Sequence, residues 1–313
     1  MKIYNIKDIN KVLNLNRDLN ELLKNQKKAF IDYSLGLINV PLPMQFEFYN
    51  PFGDCHIKGA SSNEYNNFVI KISSGFYDTV PTGDGIILVL SRKTGLIEAI
   101  MHDEGYLTTL RTSLAACLAS KITPFKIEHI GIIGSGKLAH QIIQLLELLY
   151  PDVKFSTWGR NYEKSQLLAS QYHNMTPVSN VSNLIINNGV IITTTASDSP
   201  IVKLNDINCR NLHIIGLGAD CVGKQELESQ IFGLTNKIIV DSKNQATKFG
   251  DTYNSIQSGV IMPSQLIEFG HILNGETNST EKDNFLISNF TGIGAQDLAI
   301  SEFIHDKLIA EIH

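Results

Sequence analysis

The rhythm of apolar and polar positions changes twice along this chain. Over residues 7–33 apolar residues recur at three- and four-residue spacing among charged ones, which predicts one or two helices. Residues 36–100 read differently. The runs FVIKIS, GIILVLS and LIEAIMHD are short, β-rich and separated by Gly, Pro, Asn and Asp, which predicts a mixed or antiparallel sheet. The Ala-rich stretch 112–122 reads as a helix whose small residues allow close packing. From residue 127 the pattern becomes an alternation. The apolar runs IEHIGIIG, VKFSTWG, TPVSN, VIITTTA, LHIIGLGA and NKIIVDS are strand candidates, with helical stretches such as 138–149 and 162–172 between the early ones. Near-continuous apolar strands alternating with helices predict a parallel sheet covered on both faces. Beyond residue 253 the chain reads as more helical, and it closes on the amphipathic stretch GAQDLAISEFIHDKLIAEIH.

Composition narrows the class. The 313 residues, 43% hydrophobic and 18% charged, suffice for two domains with cores of their own. A net charge of −5 speaks against a nucleic-acid partner, which normally demands a basic excess. The first residues, MKIYNIKDINKVLNLNRDLNELL, lack the apolar centre of a signal peptide, and no run approaches 18 apolar residues. A cytoplasmic protein without a membrane contact is expected. Cys55, Cys117, Cys209 and Cys221 form no CxxC pair and read as reduced thiols, with no metal site.

The stretch HIGIIGSGKLAHQII carries the first chemistry. Gly134, Gly136 and Ala139 give G-x-G-x-x-A between a predicted strand and a predicted helix. The first glycine permits a tight turn, the second lets backbone approach a pyrophosphate, and the small third residue lets helix and strand pack closely. Lys137 and Leu138, at the start of that helix, join the expected dinucleotide contacts. The next strand leads into FSTWGRNYEKS. No acid stands at positions 156–162 to bond a ribose 2′-hydroxyl. Arg160 and Asn161 stand there instead, with Lys164 one turn on. A guanidinium pairs with a 2′-phosphate that a carboxylate would repel, so NADP(H) is expected over NAD(H).

Further segments carry a resemblance. GYLTTLRTSLAACLASK precedes the glycine turn, IIGLGADCVGKQEL follows it, FTGIGAQDLAIS comes near the end, and FVIKISSGFYD lies upstream. In this order they resemble the ornithine cyclodeaminase/μ-crystallin family, which includes archaeal-type alanine dehydrogenases and ketimine reductases. HIKGA and DEGYLT look closer to the branch with iminosuccinate-reductase-like and ectoine-catabolism members. The resemblance implies a Rossmann dinucleotide-binding domain, here about 123–289, inserted into an α+β substrate and dimerisation domain. The latter comprises 1–122 completed by a C-terminal helix at about 290–313. It also implies a homodimer acting on a small amino or imino acid.

The site residues follow by the same resemblance. Lys71 matches a lysine that contacts substrate and assists proton transfer. It lies inside an apolar strand, where an unpaired charge is costly. Arg111 in LRT matches an arginine whose planar fork binds the substrate carboxylate and lies by the cofactor, and Thr112 beside it resembles a phosphate contact. Asp220 in GADCVGKQEL matches an acid/base aspartate. Leu217, Gly218 and Ala219 would line the nicotinamide, Lys224 would reach the cofactor, and Thr194 or Thr195 would touch it. Cys221 reads as packing. Departures bear on the substrate. Where many members have an arginine after a proline, this chain has Pro43 and Gln45. Lys58 offers a compensating cation, and Lys58, Lys71 and Arg111 together would suit a dicarboxylate. Phe290 replaces a small hydroxyl residue, with Thr291 next on the expected substrate wall, which weighs against a long diamine. Asp84 in TGDG could meet a substrate amine or solvent. The reaction implied is hydride transfer at the α-carbon of an imino or amino acid. A cyclodeaminase that recycles its cofactor, and a non-catalytic ligand-binding protein, are the alternatives.

Overall fold

The computed structural model describes residues 1–76, 79–207, 211–277 and 285–311. Tyr77, Asp78 and Cys209, which belong to readings above, lie outside the described residues. The chain divides into two compact units, Met1–Leu114 with Ile293–His313, and Ala115–Gly292. The division falls inside the helix Tyr106–Ser120 and before Ile293.

The first unit is a seven-stranded sheet covered by helices on one face. Its order runs Lys2–Asn5, Ile97–His102, Gly83–Ser91, Asn67–Phe76, Phe52–Ser62 and Ile38–Asn39, with Met44–Tyr49 also paired to Phe52–Ser62. Only the Lys2–Asn5 pairing is parallel. Side chains alternate between the faces of a strand. His56, Lys58 and Ala60 therefore share the covered face with Val69, Lys71, Ile87 and Met101, all buried. The predicted helical region at 7–33 is two helices, Ile6–Val12 and Leu15–Ser34. The second is capped by Asn14, whose side chain accepts from Arg17 N at 3.1 Å, and it buries Leu19, Leu22, Leu23 and Phe30.

The last helix, Gly294–Ala310, was expected to be amphipathic. It is buried from Gly294 to His305, and it packs on Leu15–Ser34 and on two strands of the sheet. A helix enclosed on all sides needs no polar face. Its first residue must be glycine, because a Cβ at Gly294 would collide with the carbonyl of Gly59.

The second unit is an eight-stranded, all-parallel sheet of Rossmann type. Its order is Met175–Pro177, Lys154–Trp158, His129–Ile133, Val190–Thr193, Leu212–Gly216, Phe285–Asn289, Ile238–Val240 and Leu266–Glu268. Two of these strands, Phe285–Asn289 and Leu266–Glu268, lie in the region read as helical. They are short apolar runs without the spacing that separates strand from helix. Helices Lys137–Leu149, Tyr162–Ala169 and Val181–Ile186 follow the early strands. Buried His213 bridges Thr123 and Ser288 at 2.8 and 2.9 Å, and burial pushes its imidazole down to about 3, so it is neutral.

A buried carboxylate pair ties the strand ends of this unit. Glu226 accepts from the hydroxyls of Thr193 and Thr195 at 2.6 and 2.8 Å, and from Thr195 N and Gly218 N at 2.5 and 2.8 Å. Asp251 in turn accepts from the backbone N–H of Glu226 and Leu227 at 2.7 and 3.0 Å, and from the Asn289 amide at 3.1 Å. Burial, then the neighbouring Glu226, pushes Asp251 up to about 7. Between the ordinary carboxylate range and that value the native state holds a proton the unfolded chain has lost, so this group's contribution falls as pH rises. An asparagine has no such proton. The stability lead of the wild type over Asp251→Asn is therefore expected to shrink, on the order of 1–3 kcal/mol, from about pH 4 to about pH 7. Urea unfolding of both proteins across that range checks this; a lead that grows with pH contradicts it.

Candidate active site

In the first unit a cation cluster forms on the covered face of the sheet. The register sets Lys58 directly opposite Lys71. Like charges facing each other across a ladder repel, so the pair needs a counter-charge. Arg111 reaches the cluster from the helix Tyr106–Ser120. That helix starts at a turn where Glu104 and Gly105 take φ of 54° and 78°, and where Asp103 accepts from Leu107 N at 2.6 Å. The counter-charge is Asp297, in the first turn of the last helix. Lys71 Nζ donates to its Oδ1 at 3.1 Å, and Arg111 Nε lies 3.2 Å from the same oxygen. All three side chains are buried. Gln296 completes the clamp. Its amide donates to the Arg111 carbonyl at 3.0 Å, and its carbonyl oxygen accepts from Arg111 Nη1 at 3.4 Å. The Gln26 amide donates to the Gln296 backbone carbonyl at 3.1 Å.

The electrostatics follow from this packing. Burial pushes Lys71 down to about 7; Asp297 opposes the shift, while Arg111 and Lys58 add to it. For Asp297, burial acts upward, but Lys71, Arg111 and Lys58 outweigh it and hold the carboxyl below its usual range. Such a site can fork a carboxylate on Arg111 and exchange a proton at Lys71 near neutral pH. His56, one strand repeat before Lys58 on the same face, is buried with neither ring nitrogen hydrogen-bonded, and its Nε2 lies 3.4 Å from Asp54.

In the second unit the glycine turn has the shape a pyrophosphate needs. Gly134 sits at φ +126°, and a Cβ there would collide with the Thr194 hydroxyl. A Cβ on Gly136 would project into open space, the room a phosphate would take, at the N-terminus of Lys137–Leu149. No side chain caps that helix start, so its N–H groups are available to an anion. Ala139 is buried, Leu138 is half-buried and Lys137 is exposed. Arg160 is exposed just past the strand Lys154–Trp158. These residues fit a bound dinucleotide.

Several expected contacts have other duties. Thr195 and Gly218 are held by Glu226, and a Cβ at Gly218 would meet both the Thr195 carbonyl and the Glu226 carboxyl. Leu217 is buried beside them. Asp220 and Lys224 pair with each other at 2.9 Å. The Thr112 hydroxyl donates to the Thr108 carbonyl at 2.8 Å. Asn161 caps the next helix, its Oδ1 accepting from Lys164 N at 3.1 Å. Phe290 and Thr291, on the expected substrate wall, are both buried. Phe290 stacks in the core on Phe269, centroids 4.9 Å apart. The Thr291 hydroxyl donates to Asp241 at 3.2 Å and accepts from Gln245 at 2.8 Å. Asp84 pairs with His102 at 3.0 Å at the surface. Cys55 and Cys117 are free thiols, and Cys221 is buried.

Sequence reasoning missed Asp297, Gln296, Glu226 and Asp251. The first two lie in the quoted FTGIGAQDLAIS, and a carboxylate in so apolar a run was itself a signal that a buried cation had to face it.

Among the described residues no helix is long and apolar enough to cross a membrane. The chain is 27% identical over 276 residues to an uncharacterized cyclodeaminase of Sinorhizobium fredii, covering 84% of this chain and 83% of that one. It is 26% identical over 222 residues to the iminosuccinate reductase of Paracoccus denitrificans, covering 70% and 68%. Among solved structures it superposes on the Thermococcus litoralis Δ1-pyrroline-2-carboxylate reductase in complex with NADH and L-proline. The TM-score is 0.88 at 21% identity, over 99% of this chain and 98% of the other. The family model for ornithine cyclodeaminase/mu-crystallin proteins matches residues 5–311, and the chain belongs to that family.

Proposed function

We propose that this protein is an NAD(P)H-dependent imino-acid reductase, working in reverse as an amino-acid dehydrogenase. The observation that carries the reading is a buried lysine, poised near neutrality, beside a buried arginine. Arg111 takes the substrate carboxylate in two parallel bonds. Lys71 supplies the proton that the imine nitrogen needs when the carbon is reduced, and the neutral amine it becomes regains a proton from solvent. The dinucleotide, when bound at the Gly134–Gly136 turn, supplies the hydride, so C=N gains one hydride at carbon and one proton at nitrogen. Lys71 is favoured over Asp220 for the proton because it shares the Asp297 oxygen with Arg111, beside the bound carboxylate of the substrate. Lys58 widens the cation row toward a second carboxylate.

Net oxidation of NADPH with 2-oxo acids plus ammonia or methylamine is the expected result of an absorbance assay. Ammonia release from ornithine without net cofactor change points instead to a cyclodeaminase, and neither result points to a binding protein.

For the cofactor we propose NADP(H) over NAD(H), supported by Arg160 and by the missing acid at 156–162. Arg160→Asp is expected to raise KM for NADPH about tenfold or more while sparing NADH, from the loss of a charge-assisted phosphate contact. A strong NADH preference in the wild type overturns the assignment.

We further propose a homodimer formed through the outer face of the first unit's sheet. That face carries Ile57, Ile70, Ile72 and Leu88, half-buried, and continues into Met44 and Phe46, which are exposed. A contiguous apolar face of this kind marks an interaction surface. Ile70→Glu is expected to halve the mass measured by light scattering; an unchanged mass refutes this interface.

A further inference from the structure

The Lys71 ammonium is enclosed by groups from four elements. Asp297 faces it from the last helix, Arg111 from Tyr106–Ser120, Lys58 from the neighbouring strand, and Asp103 from the turn before Arg111's helix. Two of these are cations and act against its charge. Asp103 is already committed to capping, through Leu107 N at 2.6 Å. The carboxylate in direct contact with Lys71 is therefore Asp297, and it reaches Arg111 with the same oxygen. Its other oxygen, Oδ2, is buried and has no hydrogen-bond partner. A carboxylate oxygen buried without a protein partner carries a cost, so the position of Asp297 calls for a reason. The helix is fixed at this point by the Gly294 contact and by Gln26, so Asp297 has a defined position.

We propose that Asp297 is a positioning residue of the reaction: through one carboxylate oxygen it holds Lys71 and Arg111 side by side and keeps Lys71 protonated for the substrate. This rests on the reading of Lys71 as the acid. With Asp297 removed, burial and the two neighbouring cations act on Lys71 opposed only by the more distant Asp103. Its proton then leaves at lower pH, and the carboxylate site loses charge where the enzyme works. For reduction, which needs the ammonium, activity falls as pH rises through about 7 in the wild type. In Asp297→Asn that fall moves to lower pH by about one unit or more, the size expected for an opposite charge in contact.

The test compares wild type, Asp297→Asn, Asp297→Glu, Lys71→Met and the double variant. Asp297→Asn is expected to lose about tenfold or more in kcat/KM at pH 7.5, with the alkaline limb displaced and NADPH affinity unchanged. Asp297→Glu, which keeps the charge, is expected to return the limb toward its wild-type place. Asp297→Asn added to Lys71→Met is expected to cost clearly less than it does alone, since the part of its effect that runs through Lys71 is already lost. A loss of amplitude with the limb in place, or additive losses, overturns the proposal. A readout free of activity separates this from failure of the reductase reading. The 13Cε resonance of Lys71, assigned by its absence in Lys71→Met, should titrate at lower pH in Asp297→Asn whether or not imines are turned over. An unmoved midpoint refutes the role. Should Asp297→Asn not fold, Asp297→Ser is titrated in the same way.

Discussion

One carboxylate oxygen anchors the buried cations of the first unit. Two cations, Lys71 and Arg111, meet at Asp297 Oδ1 in the interior of the first unit. A third, Lys58, stands opposite Lys71 in the ladder. Without an anion at that point the strand pairing would bring like charges together away from water, which is among the most expensive arrangements a core can contain. The surrounding structure reads as the means of bringing that anion in. The last helix is buried along most of its length, starts at a glycine pressed on Gly59, and is tethered by Gln26. Each of these features fixes the first turn, where Gln296 and Asp297 sit.

The second unit solves a different problem with the same chemistry. Its strand ends must present backbone rather than side chains to a dinucleotide, and loops that do so lack partners of their own. Glu226 supplies them, gathering Thr193, Thr195 and Gly218 onto one carboxyl, and Asp251 fastens the segment that carries Glu226. Buried acids thus do the positioning in both units. In the first the partners are cations and the acid stays ionised. In the second they are neutral N–H and O–H groups, and burial drives the acids toward their protonated forms.

Much of this was legible in the sequence where the determinants are local. The turn at Gly134 and Gly136 depends on residues within one strand–helix connection, and the parallel strands depend on apolar runs readable in place. Lys71 was conspicuous because it interrupts such a run. What escaped depends on distance along the chain. Asp297 lies 226 residues from Lys71, and no local pattern links them. Strand Phe285–Asn289 resembles the apolar stretches around it, and only its pairing with Leu212–Gly216 and Ile238–Val240 makes it a strand. The surroundings of Phe290 and Thr291 have the same origin. Immediately after that strand, both side chains are absorbed by partners the sequence brings from elsewhere, Phe269, Asp241 and Gln245.

The position of that strand bears on how the chain comes to be folded. Phe285–Asn289 lies in the interior of the parallel sheet, not at its rim, and the helix Gly294–Ala310 forms the centre of the other unit. During synthesis both units therefore wait for nearly the same stretch, residues 285–310. A ribosome that has delivered the glycine turn, the cations and most of both sheets still holds two open structures, each missing its middle. Loss of residues 285–310 would leave neither half able to close, and a chain with this layout is exposed to chaperones and proteases until that stretch has been made.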